Sequence, residues 1–252
     1  MPKARTAALR ALEIDDSLPE AHTALALIVQ NYDWDWQTAD KEFRRAIELD
    51  PNYATAHHWY AEHLAWQGRF DEALRESQLA RQLDPLSLII GADNGAILYF
   101  ARHYDRAIQQ FRAVRELEPN FPRAGLIVHA YAQKGMFPEA LACIESERKA
   151  YGDGPWDWSE LAYLYGRSGQ TAQARRALIK LERLERRQPM DPAVFVLAHL
   201  GMGNNDQAFT WMRKAYEQHS IALTTLKVDP IFDPLRGDPR FHEFERRVGL
   251  AQ

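Results

Sequence analysis

Three histidines and a glutamate lie close together in the stretch AHHWYAEH, residues 56–63, and are the side chains most suggestive of chemistry. Histidine and glutamate serve as metal ligands and as acid–base groups in many sites. A zinc-protease helix carries them in the order His-Glu-x-x-His, which this stretch lacks. On a helix His58 and Glu62 would touch because they are four residues apart, whereas His63 would lie on a different side. Two ligands are too few for a typical metal site. Whether the stretch binds a metal or forms an ordinary helix surface therefore depends on the elements that carry it.

Other sequence signals of catalysis are missing. The sequence contains no G-x-x-x-x-G-K, G-x-S-x-G or G-x-G-x-x-G stretch. Its one cysteine, Cys143, excludes an internal disulfide and a cysteine-based zinc site. We therefore predict that the chain is not an enzyme and uses no cofactor or metal. Catalysis by His58 and Glu62 is kept as a hypothesis to be tested.

Composition and charge narrow the class of protein further. The chain has 252 residues, of which 46% are apolar and 26% are charged, as expected of a folded domain. The net charge of −4 arises from interspersed acidic and basic residues, which leaves no basic stripe for nucleic acid. No apolar run approaches the ~18 residues that span a bilayer, and the N-terminus has no hydrophobic signal core. These patterns predict a cytoplasmic protein that binds neither nucleic acid nor a membrane.

The chain repeats with a period of about 34 residues. Pro51, Pro85 and Pro119 close the similar segments IELDP, RQLDP and RELEP. Alanines recur in one phase, once per period, at Ala39, Ala73, Ala107, Ala140, Ala174 and Ala208. A turn residue precedes most of them by five positions, at Gly68, Arg102, Gly135, Gly169 and Gly203. The period predicts repeated structural units.

Each unit has the pattern of a helix, a turn and a second helix. In unit two Tyr60, Ala61 and Leu64 form an apolar stripe on the first helix, and Ala73 and Ala80 share one face of the second. Small residues let the two helices approach closely, and proline ends the second helix because it lacks an N–H. A single helix pair cannot bury its apolar face, so the units must stack.

This pattern resembles the tetratricopeptide repeat family. The large–small residue pair of the family appears at Leu25-Ala26, Tyr60-Ala61, Asn94-Gly95 and Leu161-Ala162, and Trp158 matches its first-helix tryptophan. The resemblance implies an all-α fold: a right-handed α-solenoid of about six units that start near residues 19, 54, 88, 122, 155 and 189. The first helices would line a concave groove and the second helices the convex face. The family binds many unrelated partners, so the resemblance does not name a ligand.

Both ends of the array differ from its middle, residues 19–220. Residues 1–18 contain the pattern of a second helix without a first, which indicates either a piece of a larger protein or a capping helix. Residues 221–252 contain three Asp-Pro steps and predict an extended cap over the last helix pair. In this cap Ile231, Phe232 and Leu235 would face inward. A final helix is predicted to start at Asp238-Pro239 and to stop at Gly249.

A narrower resemblance rests on three stretches, HHWYAEHLAWQGRFDEAL, YDWDW and VDPIFDPLRGDPRFHEF. They look like bacterial tetratricopeptide regions attached behind a winged-helix DNA-binding domain, a class III adenylate cyclase domain or a protein kinase domain. This resemblance implies a regulatory and oligomerising segment of a signalling protein. The exposed N-terminal end would then form the contact between copies in a homo-oligomer.

The groove positions of the family supply the candidate binding residues. They are Asn31 in unit one, His58, Glu62 and Trp66 in unit two, Tyr99 and Phe100 in unit three, Lys134 in unit four, and Tyr163 and Arg167 in unit five. Rings supply buried area and charges fix register, so this mixture suits an extended peptide. Trp36 is expected in the core. Trp34 is either an exposed anchor or packed against Tyr32 or the N-terminal helix.

Two hypotheses about function follow from the sequence. The first is binding of a protein or peptide in the concave groove without catalysis, with specificity supplied by first-helix side chains that the stack holds rigid. The second is the regulatory and oligomerising role within a larger bacterial signalling protein. Neither pattern names the partner.

Overall fold

The computed structural model describes residues 2–119 and 121–251, and every regular element in these ranges is helical. Their α-helices are α1 Pro2–Ile14, α2 Pro19–Ile28, α3 Trp36–Leu49, α4 Ala54–Trp66, α5 Phe70–Leu83, α6 Leu88–Phe100, α7 Tyr104–Leu117, α8 Ile127–Gln133, α9 Phe137–Tyr151, α10 Pro155–Arg167, α11 Thr171–Glu185, α12 Ala193–Gly201, α13 Asn205–Glu217 and α14 Pro239–Arg247. From α2 to α13 the helices pack as six consecutive pairs that stack on one another. The all-α solenoid predicted from the repeat is confirmed.

The helix pairs depart from regularity where the sequence pattern is weakest. In unit four a 3₁₀ turn, Pro122–Leu126, precedes the short helix α8, and His129 fills a position that holds a small residue in units one, two, three and five. In unit six α12 begins at Ala193 rather than near residue 189, and Asp191 caps it by accepting a hydrogen bond from the Ala193 N–H at 2.9 Å. In unit one a π-helical turn, Val29–Asp33, accommodates the additional turn residue.

The turns inside the helix pairs require left-handed backbone. Gly68 has a φ of 81°, and Arg102, which takes the same place in unit three, has a φ of 63°. A non-glycine residue there costs about 1 kcal/mol or more. Arg102 forms a two-pronged ion pair with Asp233 at 2.7 and 2.8 Å, and this pair stabilises the third turn.

The phased alanines mark the contact between paired helices. Ala39, Ala73, Ala107, Ala140, Ala174 and Ala208 are all completely buried. The two helices of unit three approach closely at Gly95, where an added Cβ would lie 2.8 Å from the Phe111 ring. The regular spacing of the alanines therefore identifies the residues at which the two helices of each pair meet.

The C-terminal segment, residues 221–251, lies against the inner side of the curved stack. It consists of two 3₁₀ turns, Ile221–Thr225 and Pro230–Leu235, followed by α14. Trp36 of unit one donates a hydrogen bond to the Val248 carbonyl at 2.7 Å, and Tyr99 of unit three donates to Asp229 at 2.8 Å. The segment also contacts the last helix pair, where Phe209 of α13 stacks on Phe244 of α14 at 6.4 Å. The prediction of a cap over that pair did not include the contacts with units one and three. Six stacked units curve far enough to bring the segment against both halves of the array.

The inward-facing side chains predicted for this segment are buried: Ile231 is 8% exposed, Phe232 3% and Leu235 0%. At the start of α14, Asp238 accepts a hydrogen bond from the Arg240 N–H at 2.9 Å. Gly249 follows α14 with a φ of 71°. Local signals for this segment were thus informative about its helix and its apolar face, although not about the surface it covers.

Trp34 closes the curve between the first and last units. Its ring stacks on His219 at 4.9 Å and on Tyr216 at 5.3 Å, and 8% of the residue is exposed. The expectation of an exposed anchor is wrong, because the stack returns unit six to this point and the ring is packed. Tyr32 stacks on the same His219 ring at 5.7 Å. Trp36 is buried, as expected of a core residue.

Candidate partner-binding site

His57 is a structural link between the helices of unit two. Its Nδ1 lies 2.6 Å from Glu76, and its Nε2 lies 2.9 Å from the Pro51 carbonyl. Burial lowers the pKa of His57, but these two acceptors outweigh burial and leave the pKa raised. The same arrangement occurs one unit earlier, where His22 contacts Glu42 at 2.6 Å. The repetition identifies His57 as part of the helix pair and not as a ligand for a metal.

His63 is a neutral core histidine. Its Nδ1 lies 2.6 Å from the Gln30 side-chain oxygen, and its Nε2 accepts from Gln67 at 2.5 Å. Burial lowers the pKa of His63 to about 4, and the neighbouring rings of Trp36 and Phe43 surround it. The proton therefore stays on Nδ1 at neutral pH, and the side chain is fully engaged.

His58 belongs to a network that spans three units, here called the rim network: His58, Glu62, Asp93 and Arg123. His58 Nε2 lies 2.5 Å from Asp93, and Arg123 donates to both oxygens of Asp93 at 2.8 and 2.6 Å. Arg123 also reaches Glu62 at 3.1 Å. The network joins α4, α6 and the turn before α8, so it ties units two, three and four together.

The rim network holds two carboxyl groups beside one permanent cation. Burial, and then the nearby Asp93 carboxylate, raise the pKa of Glu62 to about 8 despite the attraction of Arg123. The Arg123 guanidinium also lies 5.3 Å from the centre of the half-buried Trp59 ring. The arrangement presents a fixed cation and an aromatic ring, which are groups that bind a polypeptide.

The described side chains form no cluster that could bind a metal ion. Within residues 2–119 and 121–251, no group of three or more His, Cys, Asp or Glu side chains converges on one point. His57, His58 and His63 each engage a different partner set, so the histidines of AHHWYAEH do not act together. The catalytic hypothesis for His58 and Glu62 gains no neighbouring nucleophile among the partners of either side chain.

Five of the nine predicted groove residues are buried: His58, Trp66, Tyr99, Phe100 and Tyr163. The expectation that they line an open groove is wrong, because His58 is enclosed by the rim network. The other four join an apolar core to which the C-terminal segment contributes Leu226, Phe232 and Leu235. Sequence phase placed them on the inner side of the stack, but it does not reveal that this side carries another part of the chain.

The other four predicted residues keep some access to solvent. Asn31 is half-buried and accepts a hydrogen bond from Gln30 at 3.1 Å, and Glu62 is half-buried in the rim network. Lys134 is exposed and forms an ion pair with Asp105. Arg167 is exposed, and its guanidinium lies 5.8 Å from the Tyr163 ring centre. The structure brings only His58 and Glu62 into one charged cluster.

Sequence reasoning missed several residues of the inner side. Asp93 is a lone charge within the apolar helix LIIGADNGAILYF, and such a charge signals a buried partner. Arg123 and Asp229 carry no comparable signal, since their partners lie far away along the chain. Ile89 and Trp156 were also missed, although they share the second position of their helices with the predicted groove position Thr55.

Comparison with known proteins gives a consistent fold. No family model matches the chain. Over 200 residues, or 79% of this chain, it is 24% identical to tetratricopeptide repeat-containing protein trd-1 of Caenorhabditis elegans. The chain spans only 25% of the length of that relative.

Solved structures of similar shape cover most of the chain. A tetratricopeptide repeat protein from Parabacteroides merdae superposes with a TM-score of 0.67 at 16% identity, over 97% of this chain and 91% of that one. Pseudomonas aeruginosa pilF gives 0.59 at 22% identity, over 81% and 88%. The APC/C hetero-tetramer Cut9-Hcn1 gives 0.64 at 14% identity, over 98% and 45%. At these identities the likeness concerns the fold alone.

Among the described helices, none has both the length and the apolar character that crossing a membrane requires. The 34-residue period, the six stacked helix pairs and the similarity to trd-1 agree with one another. The chain has the fold of the tetratricopeptide repeat proteins to which it is similar.

Proposed function

We propose that this chain is a non-catalytic protein-interaction scaffold that holds a peptide segment of its partner along one edge of the concave face. The edge is formed by Ile89, Arg123 and Trp156, the second residues of α6, of the turn before α8, and of α10. Ile89 is 38% exposed and Trp156 47% exposed, and 36% of the Arg123 side chain is exposed. This accessible row of large side chains at one repeat position is the observation on which the proposal rests.

The row suits an extended segment. Packed helices lie about 8–10 Å apart, and an extended chain advances about 3.3 Å per residue, so one unit corresponds to about three residues. We expect a segment that complements this row of side chains. It would place an apolar residue against Ile89, an acidic residue against Arg123 and a second apolar residue against Trp156. The rim network fixes Arg123 in advance, which lowers the entropy lost on binding.

The deeper groove is a poorer candidate for the contact. The C-terminal segment already buries Leu226, Leu235 and Phe241 completely. Exposing each such side chain costs about 1.5–3 kcal/mol, so a partner would have to replace a large part of the core. Of the groove residues predicted from the sequence, Lys134 and Arg167 stay accessible for a partner that extends beyond the edge.

Affinity capture with paired variants tests the proposal. Ile89→Ala with Trp156→Ala removes the apolar ends of the edge, and Leu86→Ala with Leu117→Ala removes two exposed apolar side chains elsewhere. Proteins captured from the native host by the unaltered chain should be lost with the first pair and kept with the second. If all of them survive the first pair, this edge is not the binding surface.

A second candidate function is self-association as a regulatory segment. On α1, Leu9 is 44% exposed and Ile14 is 75% exposed, which leaves apolar surface at the N-terminal end of the array. That observation favours contact between copies at this end. The link to bacterial signalling proteins and the cytoplasmic location stay predictions from the sequence.

A further inference from the structure

A cleft of about 470 Å³ opens on the convex face between α9 and α11, with α10 beneath it. Its apolar wall includes Trp158 and Ala177, and its rim carries Arg148, Arg176, Lys180 and Arg183. No acidic residue lines it. The volume falls within the range of about 300–1,000 Å³ that is usual for ligand sites.

The cleft exists because unit five replaces a pair of residues that fills the same place elsewhere. In units one and two a histidine of the first helix bonds a glutamate of the second, as His57 bonds Glu76 at 2.6 Å. Trp158 occupies the histidine position in unit five, and Ala177 occupies the glutamate position. The short alanine side chain leaves space above the indole ring, where units one and two have a contact between histidine and glutamate.

Positive charge is concentrated around the indole. The Arg148 guanidinium lies 4.5 Å from the Trp158 ring centre, and the Lys180 ammonium lies 6.0 Å from it. Arg148 is paired with Asp153 at 2.8 Å. Arg176, Lys180 and Arg183 share one face of α11, since they are three or four residues apart.

These three side chains on α11 are available for a ligand. All three are exposed, and within residues 2–119 and 121–251 none of them forms an ion pair with a carboxylate. Cations that share one face and form no ion pair with a carboxylate attract an anionic group. In a chain of net charge −4, this local excess of cations contrasts with the rest of the surface.

We propose that this cleft binds an acidic segment of a partner protein. A large apolar side chain of the segment would rest on Trp158 above Ala177, and flanking carboxylates would pair with Arg176, Lys180 and Arg183. A peptide is favoured over nucleic acid, because the cations form one short row around an apolar wall and not a stripe that follows a phosphate backbone. The cleft lies on the opposite face from the edge of Ile89, Arg123 and Trp156, so either surface can be lost without the other.

Selection from a displayed library of random 12-residue peptides tests the proposal on the full chain. Arg176→Glu with Lys180→Glu reverses two charges in the cleft. Arg106→Glu with Arg175→Glu makes the same change in net charge at exposed positions that do not line it. Circular dichroism and thermal unfolding establish that both pairs fold. Selected peptides should combine several Asp or Glu residues with one aromatic or large aliphatic residue.

Affinity for the selected peptides, measured by fluorescence anisotropy, should fall at least tenfold in the cleft pair and less than threefold in the control pair. The proposal is overturned if selection yields no acidic sequences, or if both pairs weaken binding equally. It is also overturned in favour of nucleic acid if the oligonucleotide dT12 binds the cleft more tightly than the peptides do. If Trp156→Ala also abolishes binding of the selected peptides, they bind at the separate concave edge and not in this cleft, and the proposal is overturned.

Discussion

At the scale of the residue, the same side-chain types do different work according to what surrounds them. His63 is neutral because burial lowers its pKa to about 4, whereas two hydrogen-bond acceptors outweigh the burial of His57 and leave its pKa raised. Glu62 behaves in the opposite way to an ordinary surface glutamate, since burial and Asp93 raise its pKa to about 8. Each shift is a statement about the stability of the fold at a given pH.

Replacing Glu62 with glutamine should remove a pH-dependent loss of stability. The pKa of Glu62 is near 4.5 when the chain is unfolded and about 8 when it is folded, so the folded state binds the extra proton between these values. The contribution of Glu62 to the free energy of unfolding is therefore complete below pH 4.5 and is lost as pH rises through 8. Relative to the unaltered chain, Glu62→Gln should gain stability steadily between pH 5 and 8, by up to about 4 kcal/mol.

Urea unfolding at pH 5, 6.5 and 8 measures this difference. Glu139→Gln, at an exposed position on α9, is the matched control and should give no pH-dependent change. A Glu62→Gln curve that runs parallel to the unaltered chain at all three pH values would contradict the assigned environment of Glu62.

Prediction from sequence at this scale succeeded for position and failed for environment. The repeat phase put His58 and Glu62 together on one side of α4, and they do share the rim network. It could not supply Arg123, which lies 61 residues from Glu62 along the chain. Ion pairs across three units depend on the curvature of the stack, and the sequence of a single repeat does not determine that curvature.

At the scale of the element, consecutive first helices approach one another to different degrees. The closest contact is between α10 and α12, where Gly166 and Gly201 face each other's helix. A Cβ added at Gly201 would lie 2.2 Å from the Tyr163 Cα and 2.5 Å from its carbonyl oxygen. Backbone atoms cannot rotate away as a side chain can, so these glycines set the distance between units five and six.

Gly201→Ala should therefore separate α10 from α12 and destabilise the protein by about 3 kcal/mol or more, at or beyond the usual cost of overpacking. Thermal unfolding monitored by circular dichroism measures the loss. Gly125→Ala is the control, because no atom lies within 4 Å of its added Cβ and its backbone does not require glycine. If the two variants unfold at the same temperature, the close approach of these helices is not a determinant of stability.

The helices themselves were the part of the structure most accessible to sequence reasoning. Phased alanines, turn glycines and closing prolines are local signals, and α4, α6 and α10 begin where the repeat placed their units. Unit four is irregular where its sequence departs from the pattern: His129 takes the place of a small residue, and its Nε2 lies 2.7 Å from Glu160. The placement of the C-terminal segment has no local cause, because its contacts with Trp36 and Tyr99 join residues 212 and 130 positions apart.

At the scale of the whole molecule, surface at the N-terminal end bears on oligomeric state. Under the second candidate function, Leu9 and Ile14 of α1 form the contact between copies. Light scattering should then show a mass that rises with concentration, and Leu9→Ser with Ile14→Ser should abolish the rise. A single monomer mass over the whole range, in the unaltered chain as in the variant, would count against self-association at this end.

Closure of the array changes how its stability is distributed. In an open solenoid each unit contacts only its neighbours, so the two ends open independently of one another. Here Trp34 of unit one stacks on Tyr216 and His219 at the end of unit six. The C-terminal segment also contacts units at both ends of the array. The first and last units should consequently open together.

Trp34→Ala tests this coupling. Alanine and tryptophan disfavour a positive φ to a similar degree, so the substitution removes the ring contacts and leaves the backbone cost unchanged. Native-state hydrogen exchange should show protection falling in α2 and α3, as any core truncation there would cause. It should fall equally in α13 and the C-terminal segment, which lie more than 150 residues away. Trp211→Ala, which removes a ring stacked on Phe195 at 4.0 Å, is the matched truncation within unit six and should leave α2 and α3 protected. If Trp34→Ala leaves α13 unchanged, the two ends are independent, and the stacking of Trp34 on His219 does not couple them.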